Sequence, residues 1–243
     1  MGENLSSMLE NVGLRTNNKS IHVVGHDFGS LFLSYIVAKY QSLARSCVFM
    51  SVPYTPAGVK IDMDALKPMM EEALGFELFG YRRLLNQPDA WQLLDANKDG
   101  LFSLGYSSDK LLISKFVPPG ALEASLRADR QFPLEPWVTP EFKTTQDRLF
   151  QETGYRGSLL WYISRFGLHL GIVEEAAEGL ELNIKCPVLF MTSAGDELSI
   201  PTDMEKFAND YEFAGIKSST GYWVQMEGRD EVNKVLAEFL GKK

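Results

Sequence analysis

The spacing of apolar residues changes several times along the first 58 residues. Residues 5–14 repeat at helical spacing, whereas residues 21–24 form a short β-branched run that ends at Gly25. Helical spacing returns at 31–39, and 46–52 is again a short β-rich run, closed by prolines. The order strand, turn, helix, strand predicts parallel neighbouring strands joined by a crossover helix, because a tight turn cannot join parallel strands.

The rest of the chain divides into a helical part and a second part with strands. Between about 60 and 167, strand-like runs disappear and Leu, Met and aromatic residues recur at helical spacing. Residues 187–192 then predict a strand, 202–210 a helix, and 216–219 a weak strand. One apolar helical face closes the chain, formed by Val232, Val235, Leu236, Phe239 and Leu240.

These elements predict an α/β fold built from three segments. Residues 1–58 and 168–243 form a mostly parallel sheet flanked by helices, and residues 59–167 form an inserted helical domain. No internal repeat is evident.

Composition narrows the class of protein. Apolar residues make up 45% of the 243 residues and charged residues 23%, which is typical of a folded globular chain. The 32 acidic and 24 basic residues give a net charge of −8, and without a Lys/Arg cluster this argues against a nucleic-acid partner. There is no apolar window long enough for a membrane span and no secretory pattern, so we expect a cytoplasmic protein. Cys47 and Cys186 are predicted to be reduced core residues.

The strongest chemical motif is Gly25-His26-Asp27-Phe28-Gly29, at the junction of the first strand and its helix. In a Gly-x-Ser-x-Gly turn the flanking glycines allow a sharp bend that exposes the central side chain near a helix N-terminus. Here the central residue is Asp27, whose carboxylate is ionised at neutral pH and can attack carbon without a base. The alternative is that Asp27 simply caps the following helix.

The segment VVGHDFGS resembles the nucleophile segment of the α/β-hydrolase superfamily and, within it, of the epoxide hydrolases. The resemblance covers nearly the whole chain, and the helical insertion is similar to the family's cap domain. FGYRRLLNQPDAW and TGYRGSLLWYISR are similar to the two cap segments that each supply a tyrosine. The resemblance implies that Asp27 opens an epoxide ring while Tyr81 and Tyr162 donate hydrogen bonds to its oxygen. It implies no metal or organic cofactor, and a small lipophilic epoxide as the ligand. The alternative is that both tyrosines have a purely structural role and pack in the core.

Near the C-terminus the resemblance includes a departure. PVLFMTSAGDEL is similar to the strand and loop of the family's acid, which falls on Asp196, but Tyr222 stands where the family has its catalytic histidine. A phenol, with an unperturbed pKa of about 10, is a poor acceptor for a proton from water at neutral pH. The general base is therefore predicted to be missing. We expect the Tyr222 hydroxyl to donate to Asp196, because a buried carboxylate needs a partner.

None of the three histidines is a predicted replacement for that base. His22 lies in the first strand and is expected in the core, while His26 adjoins Asp27 at a position where the family keeps a histidine for structure. His169 follows the helical insertion. Each is expected to have a structural or solvated role.

The N-terminus is a second departure from the family. The family's first strands, with their His-Gly-x-Pro type loop, would need roughly 60 more residues than the chain has before Asp27. We expect one sheet edge to be missing, together with the backbone N–H that partners that of Phe28 in the oxyanion hole. A clipped gene model, a truncated paralogue and a chain completed by a partner all remain open. An unpaired edge favours homo-oligomers.

Together these features predict an epoxide-hydrolase-like enzyme that opens the ring and whose hydrolytic step is impaired or repurposed. The groups for ring opening are present, whereas the base and part of the oxyanion hole are not. Two alternatives stay open: a catalytically silent ligand-binding protein, and an epoxide-opening cyclase or isomerase in small-molecule biosynthesis. Dehalogenases also use an aspartate nucleophile, but the paired tyrosines disfavour them.

Overall fold

The structure is a computed structural model that describes residues 7–9, 11–13, 21–56, 63–166, 179–193, 204–218 and 221–242. The chain forms two compact units. One combines Met1–Val59 with Ala176–Lys243, and the other is Lys60–Glu175. We call them the sheet unit and the helical unit. The predicted domain boundaries at 58/59 and 167/168, and the role of the insertion as a cap, stay predictions.

The sheet unit contains a parallel sheet. Over the described residues its strands are β1 (Ile21–His26), β2 (Ala44–Met50), β3 (Val188–Ser193) and β4 (Tyr211–Ile216). They are paired in the order β1-β2-β3-β4, so spatial order follows chain order. The predicted α/β class with a mostly parallel sheet is confirmed, and β1 and β4 are the edges of the sheet as described.

Both faces of the sheet are covered by apolar residues. Within β2, Cys47 and Phe49 belong to the same apolar cluster as Leu33 and Val37 of the helix that follows β1. A second cluster, on the other face, joins residues of β2 and β3 to the last helix: Val48, Met50, Leu189, Met191, Val232 and Phe239. Burial on both faces explains why β2 reads as a continuous apolar run rather than an alternating one.

Helices complete both units. In the sheet unit they are α1 (Phe28–Lys39), α10 (Val224–Glu227) and α11 (Arg229–Lys242), with short 3-10 helices at Gln41–Leu43 and Met204–Lys206. In the helical unit they are α2 (Met63–Leu74), α3 (Arg82–Leu85), α4 (Ala90–Ala96), α5 (Lys98–Gly105), α6 (Asp109–Lys115), α7 (Ala121–Arg127), α8 (Pro140–Thr153) and α9 (Arg156–Phe166).

The helical unit has its own core. Leucines from successive helices form it, namely Leu84, Leu85, Leu94, Leu104, Leu122, Leu126 and Leu159. Residues 63–166 contain helices and turns but no strand, as the sequence predicts. No helix in the described ranges is both long and apolar enough to cross a membrane.

Two predictions near the end of the sheet unit are wrong. The last strand is Tyr211–Ile216 rather than 216–219, and the part of the predicted helix 202–210 that the structure describes contains only the 3-10 turn Met204–Lys206. The apolar spacing there comes from contacts with the sheet, because Met204 and Ala208 are buried in its core. β4 was hard to detect since it is an edge strand whose Phe213 is 59% exposed.

Candidate active site

Asp27 occupies a sharp turn between β1 and α1. Its backbone N–H donates to the Met50 carbonyl at 3.4 Å, which extends the pairing of β1 with β2 by one residue. Its φ of 53° and ψ of −121° lie in a region that a non-glycine residue rarely adopts, at a cost of about 1–3 kcal/mol. The chain then enters α1 at Phe28, and the Asp27 carbonyl accepts from the N–H groups of Ser30 and Leu31. A strained residue thus links the carboxyl end of β1 to the N-terminus of α1.

The side chain of Asp27 does not cap the helix. It makes no capping hydrogen bond to the N-terminus of α1, and its φ and ψ differ from the extended values of an ordinary cap residue. The side chain is half-buried. The capping alternative is therefore wrong, and the carboxylate remains available for another role.

The two glycines around this turn have different reasons to be glycine. A Cβ at Gly25 would lie 2.6 Å from the carbonyl oxygen of Gly29 and 2.7 Å from the nitrogen of Ser30, so β1 and the first turn of α1 can approach only without a side chain there. A Cβ at Gly29 would meet nothing within 4 Å. Ser30 further fastens this junction, because its hydroxyl donates to the Gly25 carbonyl at 2.9 Å.

Tyr222 reaches the same edge of the sheet through its backbone. Its carbonyl oxygen accepts from the Nε2–H of His26 at 3.2 Å and from the hydroxyl of Ser51 at 2.9 Å. His26 directly precedes Asp27, and Ser51 directly follows β2. Tyr222 is thus held next to the carboxyl ends of β1 and β2.

Aromatic rings surround this attachment. The ring of His26 lies 5.1 Å from that of Tyr222 and 5.2 Å from that of Trp223, measured between centroids. Tyr222 and Trp223 meet edge to face at 5.6 Å. Its hydrogen bond and ring contacts give His26 a structural role, in line with the sequence analysis.

Ser51 is the residue at this edge that sequence reasoning missed. It is buried, its φ is 58°, and its N–H donates to the Met191 carbonyl at 3.0 Å. The available signal for this residue was its position, because it follows a fully apolar run and directly precedes a Val-Pro step. The pattern itself does not reveal the partner, which is 171 residues away in sequence.

The two predicted cap tyrosines lie together within the helical unit. Tyr81 directly precedes α3, and Tyr162 lies in α9. Their rings meet edge to face, with centroids 6.1 Å apart and planes at 84°. Both are half-buried against the leucine core of that unit. The fold therefore gives the two phenols a shared location, and their role as proton donors stays a prediction.

Of the remaining predicted residues, Phe28 and His22 lie within the described ranges, and Asp196 and His169 lie outside them. Phe28 is the first residue of α1. His22 is half-buried rather than in the core, and its Nδ1 lies 2.7 Å from the hydroxyl of Ser46 on β2, so its role is structural. Asp196 and His169 lie outside the described residues, and so does the predicted hydrogen bond from Tyr222 to Asp196.

The described residues contain no cluster of three or more His, Cys, Asp or Glu side chains that could hold a metal ion.

A family model of the α/β hydrolase fold matches residues 3–228. The chain belongs to the α/β-hydrolase fold family. It is similar to bifunctional epoxide hydrolase 2 of Mus musculus, with 23% identity over 225 residues, and to that of Sus scrofa, with 22% over 224 residues. Each alignment covers 89% of this chain but only 38% of the relative.

Solved structures of epoxide hydrolases have the same fold. Epoxide hydrolase A from Mycobacterium thermoresistibile matches with a TM-score of 0.76 and 24% identity, over 98% of this chain and 73% of that one. A variant of the enzyme from Solanum tuberosum matches with a TM-score of 0.75 and 18% identity, over 100% and 75%. These findings confirm the resemblance stated from the sequence.

Proposed function

We infer that the protein opens a small lipophilic epoxide by attack of the Asp27 carboxylate on a ring carbon. The observation that carries this proposal is the backbone of Asp27, which is held at a φ of 53° while its side chain makes no capping bond to α1. Strain of this kind persists where the surrounding fold imposes it, and it concentrates at functional sites. The similarity to epoxide hydrolases supports epoxides as the substrate class.

In the first half of the proposed reaction, one carboxylate oxygen of Asp27 forms a bond to carbon and the ring C–O bond breaks. The ring oxygen gains the electron pair and takes a proton from one of the two phenols, Tyr81 or Tyr162. The product is an alkyl ester on Asp27 with a neighbouring hydroxyl group. This half needs neither a metal nor a base, because a carboxylate can attack carbon directly.

In the second half, water must attack the ester carbonyl of Asp27 and lose a proton. In the family a histidine takes that proton, and here Tyr222 occupies its position. Loss of a general base typically slows such a step by about 10²–10⁴-fold. We therefore propose slow hydrolysis, so that the ester accumulates or the opened substrate leaves by another route.

The test is incubation with styrene oxide, a small reactive aryl epoxide, followed by intact-mass measurement, peptide mapping and product analysis. We expect a stable adduct of one substrate per chain on the peptide that contains Asp27, and slow formation of the diol. Asp27→Asn is the matched control, since asparagine tolerates a positive φ but lacks the nucleophile. An adduct that persists in this variant would contradict the proposal.

Tyr222 also favours a second candidate, a silent ligand-binding protein, because it removes the family's base. The same experiment separates the two functions. No adduct and no product, together with saturable binding of the epoxide, would support the silent protein. A rearranged or cyclised product without diol would identify an isomerase or cyclase.

A further inference from the structure

The two cysteines of the chain lie side by side, although 139 residues separate them in sequence. Cys47 lies on β2, and Cys186 lies two residues before the start of β3. Their sulfur atoms are 3.4 Å apart, close enough for a thiol hydrogen bond. The backbone fixes this approach, because the N–H of Cys47 donates to the Pro187 carbonyl at 2.9 Å. Both are free thiols, as predicted, but only Cys47 is a buried core residue.

The two thiols differ in exposure. Cys47 is fully buried in the core of the sheet unit, whereas Cys186 is half-buried and accessible to a small reagent. The hydrogen bond from Cys47 lowers the pKa of Cys186, against an opposing effect of burial. The same contact, followed by burial, raises the pKa of Cys47. Cys186 is therefore the nucleophile of the pair, and Cys47 is placed to resolve the product.

We propose that Cys47 and Cys186 form an intramolecular disulfide when the protein meets a peroxide. The Cys186 thiolate attacks one peroxide oxygen and the O–O bond breaks, which gives a sulfenic acid and, after proton uptake, water. The sulfur of Cys47 then attacks that of Cys186. The S–S bond forms, the S–O bond breaks, and the departing hydroxide takes the Cys47 proton and leaves as a second water. Two thiols are oxidised and one peroxide is reduced to two waters.

The geometry favours this outcome over further oxidation of Cys186. The sulfurs need to approach from 3.4 Å to about 2 Å, which side-chain rotation with a small backbone adjustment can supply. A sulfenic acid with a thiol already in contact reacts with it before a second peroxide arrives.

The disulfide would change the stability of the fold rather than the chemistry at Asp27. Cys186 lies at the amino end of β3, whereas Asp27 and Ser51 follow the carboxyl ends of their strands. The helical unit lies entirely between the two cysteines in sequence. The bond would close a very long loop in the unfolded chain, the case in which a cross-link constrains unfolding most. It would also keep the two parts of the sheet unit joined after a backbone cut within the helical unit.

The test titrates the folded protein with hydrogen peroxide, alkylates remaining thiols under denaturing conditions and measures intact mass without reductant. We expect both thiols to disappear together, with the loss of two hydrogens from a monomeric chain and full recovery with dithiothreitol. Non-reducing peptide maps should show the Cys47 and Cys186 peptides joined. The urea midpoint should rise on oxidation and return on reduction.

Two variants provide controls for the reaction. In Cys186→Ser the buried Cys47 should stay alkylatable and the urea midpoint should not respond to peroxide. In Cys47→Ser, which keeps a donor beside Cys186 but removes the resolving sulfur, Cys186 should proceed to the sulfinic acid, which dithiothreitol does not reverse. The proposal is overturned if the native chain gains oxygen on Cys186 while Cys47 remains a thiol. It is equally overturned if the bond forms between chains, or if both thiols survive peroxide that oxidises Cys186 in Cys47→Ser.

Discussion

The turns after β1 and β2 each begin with a non-glycine residue at positive φ, but they use their side chains differently. Asp27 and Ser51 have φ values of 53° and 58°, and they follow neighbouring strands whose last residues, His26 and Met50, are paired. After β2 the side chains hold the fold, since the Ser51 hydroxyl binds the Tyr222 carbonyl and the Tyr54 hydroxyl donates to the Leu182 carbonyl at 2.7 Å.

After β1 the Asp27 side chain does not serve the helix that it begins. The comparison teaches that a strained backbone alone does not mark a reacting group. Within the described residues, the two turns differ in that the Ser51 side chain holds another segment, whereas the Asp27 side chain makes no capping bond to its helix.

The largest expected effect follows from removing the carboxylate after β1. Asp27→Asn should slow ring opening of styrene oxide by about 10⁴-fold or more, as loss of a covalent nucleophile does elsewhere, while the fold is kept. Tyr54→Phe, in the turn after β2, should change the rate by less than about tenfold. Single-turnover adduct formation by mass spectrometry measures both. Equal losses in the two variants would remove the distinction between the turns.

The Tyr222 carbonyl is hydrogen-bonded to His26 and Ser51, next to both turns. Substitution of Tyr222 therefore tests whether the site can complete hydrolysis once a base is supplied. Tyr222→His should raise diol formation by about 10²–10⁴-fold, because an imidazole can take the proton from water. Tyr222→Phe is the matched control, since it removes the phenol hydroxyl without supplying a base. Steady-state product analysis makes the comparison. A histidine variant no faster than the phenylalanine variant would mean that more than the base is missing.

Substitution of Gly25 tests whether the close approach of β1 to α1 limits the turn to a residue without a side chain. Gly25→Ala should lower the free energy of unfolding by about 3 kcal/mol, because its Cβ would meet backbone atoms of Gly29 and Ser30. Gly29→Ala, where a Cβ meets nothing within 4 Å, should be neutral or stabilising by up to about 1 kcal/mol. Urea unfolding measures both. Similar losses would show that the close approach of β1 and α1 does not constrain the turn.

Two substitutions of Ser51 distinguish the contribution of its hydroxyl group to stability from the cost of its positive φ. Ser51→Ala should cost about 1–2 kcal/mol, because the Tyr222 carbonyl loses the Ser51 hydroxyl as a donor and the positive φ remains. Ser51→Gly loses the same hydrogen bond but relaxes the backbone, and should be about 1 kcal/mol more stable than Ser51→Ala. The difference between their urea midpoints measures the strain. An alanine variant as stable as glycine would argue that the turn stores none.

Substitution of Tyr54 should have the smallest effect on the free energy of unfolding, and that effect depends on pH. Burial, followed by the charge of Glu181, raises the pKa of Tyr54 to about 12 from an ordinary value of 10. The unfolded chain therefore ionises first, and the free energy of unfolding should fall between about pH 10 and pH 12. Tyr54→Phe should cost about 1 kcal/mol at neutral pH and show a shallower fall over that interval. Urea unfolding across that range tests this. Parallel curves would contradict the raised pKa.

Local signals were enough to predict β1, α1 and β2, because each coincides with its own apolar spacing, glycines flank the junction of β1 with α1, and prolines follow β2. The same signals located Asp27, whereas Tyr81 and Tyr162 came into consideration only through the resemblance to the epoxide hydrolases. β4 was misplaced because an edge strand with exposed Phe213 lacks the alternation of a half-buried one. The roles of Ser51 and Cys186 could not be predicted, since each depends on a partner more than a hundred residues away.

The sequence position of the helical unit affects the order in which the protein folds. β2 and β3 pair from Cys47 with Val188 to Met50 with Met191, yet the whole helical unit separates them along the chain. Many contacts within the helical unit, by contrast, join successive helices. Because short loops close faster and at lower entropic cost, we expect the helices to assemble first and bring the ends of the interrupted sheet together. The join between β2 and β3 would then be among the last parts of the sheet to form.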